Sequence, residues 1–170
     1  MGFDVYGLNP RVNEPEENFK VYYKFKNMEI TDRLKTLDTN EKIRQQYWEE
    51  YDKFESANPG VYFRNNRWWW RPLWDYVCIH CKSLTSEDHN SGHYNDGHEI
   101  SEEKATLIGL ALKSQLKEGV VREYKEDYDE CEKLNGNEGY SYPFSEENVE
   151  AFAEFCLQSG GFTIHLLLSS

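Results

Sequence analysis

Apolar and polar positions alternate along residues 2–8, with Phe3 and Val5 set against Asp4 and Tyr6 and the run closed by Gly7 and Asn9-Pro10; this predicts a short strand. Residues 11–18 are polar and acidic and read as loop. Residues 20–26 alternate again. Val21, Tyr23 and Phe25 share one side and Lys20, Tyr22, Lys24 and Lys26 the other, which predicts a second strand with a lysine-guarded edge. Residues 38–56 carry Ile43, Tyr47, Tyr51 and Phe54 at helical steps. Asp38 or Thr39 is the expected cap, and Asn58-Pro59-Gly60 the stop.

Three further helices follow from the same spacing. The first runs from Ser101, its cap, to Glu118. Ala105, Ile108, Leu112 and Leu116 make its buried stripe, widened by Leu107 and Ala111, and Gly119 ends it. The second, 120–134, aligns Val121, Tyr124, Tyr128, Cys131 and Leu134. The third starts at the cap Ser145, turns Val149, Phe152, Ala153 and Cys156 inward, and stops at Gly160-Gly161. Phe162, Ile164, Leu166 and Leu168 then alternate with Thr163, His165 and Leu167, as in a closing strand. About four helices with a few short strands, not regularly alternating, predict an α+β fold in a single domain spanning 1–170. A chain of 170 residues is long enough to bury a sizeable core without disulfides.

Charge removes some functions. Nineteen basic against 31 acidic residues give a net charge of −12, which excludes an extended grip on nucleic-acid phosphates. No run approaches the roughly 20 apolar residues of a membrane span, so no membrane partner is expected. The opening residues have neither a basic n-region nor an apolar h-region, and Tyr6 stands where myristoylation wants Ser or Thr. The expected setting is therefore cytoplasmic, with the four cysteines unbridged.

The chemistry concentrates in 61–100. Four of the five Trp, three Arg and two Asn fall within residues 61–74. Three consecutive Trp cannot all be inward on a helix, and on a strand Trp68 and Trp70 oppose Trp69. One reading makes these indoles a core in a chain poor in Ile, Leu and Val. The other makes Trp68, Trp69, Trp70 and Trp74 the aromatic floor of a pocket. Arg64, Arg67 or Arg71 and the amides of Asn65 and Asn66 would then converge on a small planar or anionic ligand such as a nucleotide. Its rim would be the turn that carries His93, Tyr94, Asn95 and Asp96, so that Arg64, Asn65, Trp69 and His93 line one cavity.

Cys78-x2-Cys81-x11-His93-x4-His98 comes close to Cys2His2 spacing and makes zinc a candidate cofactor, with His80 and His89 as competing donors. The competing reading is free buried thiols with hydrogen-bonded histidines. The cysteines Cys131 and Cys156 fall on helix core faces and read as small buried hydrophobes. An alternative use of the turn is a metal-dependent hydrolase or proton-transfer set of His93, Asp96 and His98. Asp96-Gly97 is also a common turn dipeptide, whose polar groups can serve only local backbone. Walker A, Rossmann, nucleophile-elbow and His-Glu-x-x-His patterns are absent.

Met1–Pro10, Tyr62-Phe-Arg-Asn-Asn66, Trp68-Trp-Trp-Arg-Pro-Leu-Trp74, Ser91-Gly-His-Tyr-Asn-Asp-Gly-His98, Tyr142-Pro-Phe-Ser145 and Ser159-Gly-Gly-Phe162 together resemble an uncharacterised family of bacteriophage and bacterial proteins. The resemblance covers roughly 1–10 and 60–164 and makes 11–59 an insertion, here a strand–helix segment. Some members carry a cysteine-rich knuckle before Tyr-Pro-Phe-Ser; here only 135–139 stands there. The resemblance implies a phage context inside a host cell and no established activity. It makes counter-defence the expected biology, by binding a small molecule or, alternatively, by inhibiting a host protein through the acidic surface.

Overall fold

The computed structural model describes residues 2–94, 96–137 and 142–165. It divides into two compact units, one formed by 1–11 with 59–170 and the other by 12–58. Among the described residues there are eight α-helices and one four-stranded antiparallel sheet. The mixed helix-and-sheet class is as expected, with twice the expected number of helices.

The unit 12–58 holds α1 (Lys20–Lys26), α2 (Ile30–Thr39) and α3 (Glu41–Ala57). The expected strand at 20–26 is a helix. Its buried residues are Tyr22 and Phe25, a helical three-residue step, while Tyr23 is exposed. Tyr22 stacks on Phe54 at 5.3 Å and meets Tyr47 at 5.8 Å. The start of α1 has no cap of its own. The Glu50 carboxylate of α3 accepts from the Val21 and Tyr22 amides at 2.7 and 2.9 Å and satisfies it. The helix α3 begins later than expected because Asn40 caps it, accepting from the Ile43 amide, and α2 precedes it unforeseen.

The larger unit contains β1 (Gly2–Gly7), β2 (Tyr62–Asn66), β3 (Asp96–Ile100) and β4 (Phe162–His165), in the order β2-β1-β4-β3. The inner strand β1 sets Phe3, Val5 and Tyr6 opposite Asn65, Phe63 and Tyr62 of β2. On its other side Val5 and Tyr6 face Ile164 and Thr163 of β4. One sheet face, built from Phe3, Val5, Phe63, Ile100, Phe162 and Ile164, is buried in a single core with the inner faces of the helices. Those helices are α4 (Arg67–His80), α6 (Glu102–Glu118), α7 (Val120–Leu134) and α8 (Glu146–Gln158). Trp70, Trp74, Ile108, Leu112, Phe152 and Phe155 fill the middle of this core. The caps Ser101 and Ser145 hold as expected, accepting from the Lys104 and Asn148 amides. Gly119, at φ 82°, supplies the left-handed joint between α6 and α7.

Some side chains fall elsewhere than their periodicity suggests. Leu107 is exposed, and so are Cys131 and Leu134 near the end of α7, because that helix meets the core chiefly through its first half. The short helix α5 (Ser86–Ser91) precedes the turn expected to carry His93–Asp96, and the strand β3 begins at Asp96 itself. The closing strand is described as far as His165; the expected continuation through Leu166–Leu168 lies outside the described residues. No helix among the described residues is long and apolar enough to cross a membrane.

Candidate functional site

The junction of β2 and α4 decides what the Trp-rich segment does. Asn66 leaves the strand and caps the helix, its Oδ1 accepting from the Trp68 and Trp69 amides at 3.0 and 3.1 Å. Asn65 points to the core side, where its Nδ2 donates to Asn148 Oδ1 at 3.0 Å. The helix start thus uses one expected ligand amide as a cap and buries the other.

Consecutive helical residues then fan out. Trp70 is fully buried, Trp69 half-buried and Trp68 44% exposed. Trp70 stacks between Phe3 at 5.3 Å and Trp74 at 5.4 Å, with Phe152 edge-on at 5.6 Å. Its Nε1 donates to the Gly92 carbonyl at 2.8 Å, and Trp74 Nε1 donates to the His89 carbonyl at 3.1 Å. The indole segment and the histidine turn therefore do meet, as the pocket reading required, but they meet in contact. A Cβ on Gly92 would stand 2.1 Å from the Trp74 indole. The expected gap is closed here, so Trp70 and Trp74 are core and not pocket floor.

What stays at the surface is a ladder of cations and rings. The Arg67 guanidinium lies 4.5 Å over the Trp68 ring. Trp68 pairs with Tyr142 at 4.8 Å and 30°, and Arg71 also reaches Tyr142, its Cζ 6.0 Å from the ring centre and its Nη1 3.5 Å from the hydroxyl. The Tyr128 hydroxyl fixes this arrangement by donating to the Tyr142 carbonyl at 2.7 Å. Arg67 and Arg71, four apart, share a face of α4 beside the exposed indole. Tyr142 is the member of this group that sequence reasoning did not name; its only signal was an aromatic in the Tyr-Pro-Phe-Ser motif. Two clefts of this unit, about 520 and 450 Å³, lie elsewhere, one between α6 and α8 and one at His80–Ser83 against Leu107 and Ala111.

The candidate metal ligands are spread over separate partnerships. His93 Nε2 stands 3.3 Å from Asp75 Oδ1, and His98 Nε2 stands 2.8 Å from Asp88 Oδ1. Cys78 lies on α4 and Cys81 at its C-cap; burial pushes both thiols up to about 12, helped at Cys78 by nearby negative charge, chiefly Asp75. Among the described residues no three His, Cys, Asp or Glu side chains are grouped to hold an ion. Asp96 begins β3, and its Oδ1 accepts from the His98 amide at 3.2 Å, a local backbone role. His93, Asp96 and His98 are thus engaged with three different groups. Tyr94 is exposed, and Asn95 lies outside the described residues.

Asp88 anchors the best-satisfied polar cluster. The Thr85 amide and hydroxyl donate to Oδ2 at 2.7 and 2.9 Å, and Lys104 Nζ stands 2.6 Å from the same oxygen. Burial alone would push this carboxyl up. The hydrogen bonds from His98, Lys104 and Thr85 outweigh it and hold the group well below the usual carboxylate range.

His80 is the opposite case. Its ring lies on Tyr76 at 4.2 Å and edge-on to Tyr124 at 5.5 Å, and neither ring nitrogen has a hydrogen-bond partner among the described residues. Burial pulls its pKa down. A His held neutral in the fold takes up a proton more readily when unfolded, so stability falls as pH drops below about 6.5. His80→Phe keeps the ring contacts and removes the orphaned nitrogens. Its expected outcome is a gain of about 1 kcal/mol in urea unfolding at neutral pH, with a flatter pH dependence between about pH 5 and 7. A loss of stability would mean that the imidazole has a polar role.

No protein-family model, no curated protein and no solved structure matches the chain. The resemblance to phage proteins therefore rests on the motifs alone.

Proposed function

We propose that the chain is a binding protein that takes a planar anionic small molecule, a nucleotide being the simplest, on the Arg67–Trp68–Tyr142–Arg71 face. The observation that carries this reading is the half-exposed Trp68, paired on Tyr142 and flanked by two guanidinium groups. In the free protein Arg67 covers the indole. A base that displaces it gains a stacking surface and turns the released guanidinium toward the ligand's phosphate. Such a local cationic face works in a chain of net charge −12, because distant carboxylates are screened by salt. In the phage context that the motifs resemble, the use of this binding is to sequester a nucleotide signal of host defence.

The test is calorimetric titration with AMP, GMP and their nucleosides. Trp68→Ala is expected to weaken all of them about tenfold or more, the worth of one stacked base. Arg71→Gln is expected to weaken the nucleotides while leaving the nucleosides unchanged. Wild-type protein that binds none of them, or Trp68→Ala that binds as wild type, overturns the proposal.

A further inference from the structure

The sheet face opposite Phe3, Val5, Phe63 and Ile164 carries a second constellation. Register sets Arg64, Asp4 and His165 side by side across β2, β1 and β4, and Tyr62, Tyr6 and Thr163 in the next rung. Asp4 is only 3% exposed although it belongs to the face away from the core. The Tyr62 hydroxyl donates to its Oδ1, and Arg64 Nε stands 3.8 Å from the same oxygen. Among the described residues nothing hydrogen-bonds Asp4 Oδ2, the Tyr6 hydroxyl or the two terminal nitrogens of Arg64. The His165 imidazole bonds Thr163 Oγ1 through Nε2 at 3.1 Å and lies within 6.1 Å of the Tyr6 ring, centre to centre.

Among the described residues the inventory is therefore unused donors on Arg64 and Tyr6 beside one buried acceptor. Arg64 offers a guanidinium fork, its side chain 69% exposed but anchored beside Asp4. Burial first, and then the Asp4 charge, push the Tyr6 phenol up, which keeps it a donor. An oxyanion suits the donors. A fully deprotonated one would meet Asp4 lone pair to lone pair, whereas one with a remaining hydroxyl donates a hydrogen bond to Asp4 Oδ2.

We propose that this face binds a phosphate group that carries a proton, free or as a phosphomonoester, with Arg64 and Tyr6 as donors, His165 beside them, and Asp4 as the acceptor that selects it over sulfate. No bond is made or broken in this step. The site is independent of the Trp68 face, and Asp4 is its specificity-determining residue, since a buried carboxylate left against an unprotonated oxyanion penalises the wrong ligand.

The experiment is an NMR titration of the full chain with inorganic phosphate, glycerol phosphate and sulfate, read at the Arg64 Nε–H and His165 ring signals. Wild-type protein is expected to show saturable shifts with a phosphate over sulfate preference of roughly tenfold or more. Arg64→Gln, a surface change, should weaken phosphate at least about tenfold. Asp4→Asn should bring the phosphate and sulfate affinities together. Trp68→Ala should change nothing, which separates this site from the nucleotide face. Tighter binding of glycerol phosphate or of inorganic phosphate tells which source the site serves, and either supports it. The proposal is overturned by the absence of saturable phosphate binding, by equal sulfate binding in wild type, or by unchanged affinity in Arg64→Gln. The last two readouts hold even where Asp4→Asn fails to fold.

Discussion

Trp70→Ala is expected to cost about 3–5 kcal/mol in urea unfolding. The indole has no exposed surface and lies in the centre of the main core between Phe3, Trp74 and Phe152. Its removal opens a cavity where three rings converge and orphans the Gly92 carbonyl that it holds from the far side of the turn. Trp70→Phe keeps most of the ring contact and should lose clearly less, the difference reporting the N–H donor. Trp68→Ala, by contrast, should change stability by no more than about 1 kcal/mol, because its indole is half in water. Comparable losses at 68 and 70 would contradict the division of the tryptophans into core and surface ladder.

Asp88→Ala is expected to cost about 3–5 kcal/mol, by a different route. The carboxylate is 2% exposed and holds Thr85, His98 and Lys104 together, which joins α5 to β3 and to the first turn of α6. Without it, a partly buried ammonium loses its counter-charge, an imidazole loses its hydrogen-bond partner and α5 loses half of its capping box. The pH dependence carries a distinct signature. The folded pKa is depressed, so the stabilisation is complete above the unfolded carboxyl value, about pH 4, and is lost as pH falls from there toward the folded value. In Asp88→Ala this part of the acid limb should disappear. Wild type and variant running parallel below about pH 4 would show that the cluster holds no preferentially ionised carboxyl.

Local pattern carried the reading wherever a helix was long and one-sided. The helices α6 and α8 follow from Ala105, Ile108 and Leu112 and from Val149, Phe152 and Cys156, because burial on a 3.6-residue period is written in the sequence itself. Residues 20–26 are short enough for the same side chains to fit either period. What decides for a helix is Glu50, a carboxylate almost thirty positions away that no local window contains. The Trp run shows the same limit. Its helical geometry requires one indole to face outward, but which one depends on where Asn66 caps the helix and on Gly92 and Tyr142 arriving from later in the chain. Arg64 was legible as a candidate contact. Asp4 and His165 were not, since an aspartate and a histidine 161 positions apart become neighbours only through the register of β1 and β4.

That register bears on the order in which the protein can be built. The strand β1 leaves the ribosome before the other three strands, yet one of its flanks is closed by β4, the last strand described. The emerging chain must carry Phe3 and Val5 uncovered, or shielded by a chaperone, until the far end of the sheet is released. The segment 12–58, in which α1 and α2 both pack on α3 over short stretches of chain, can fold as soon as it has been made.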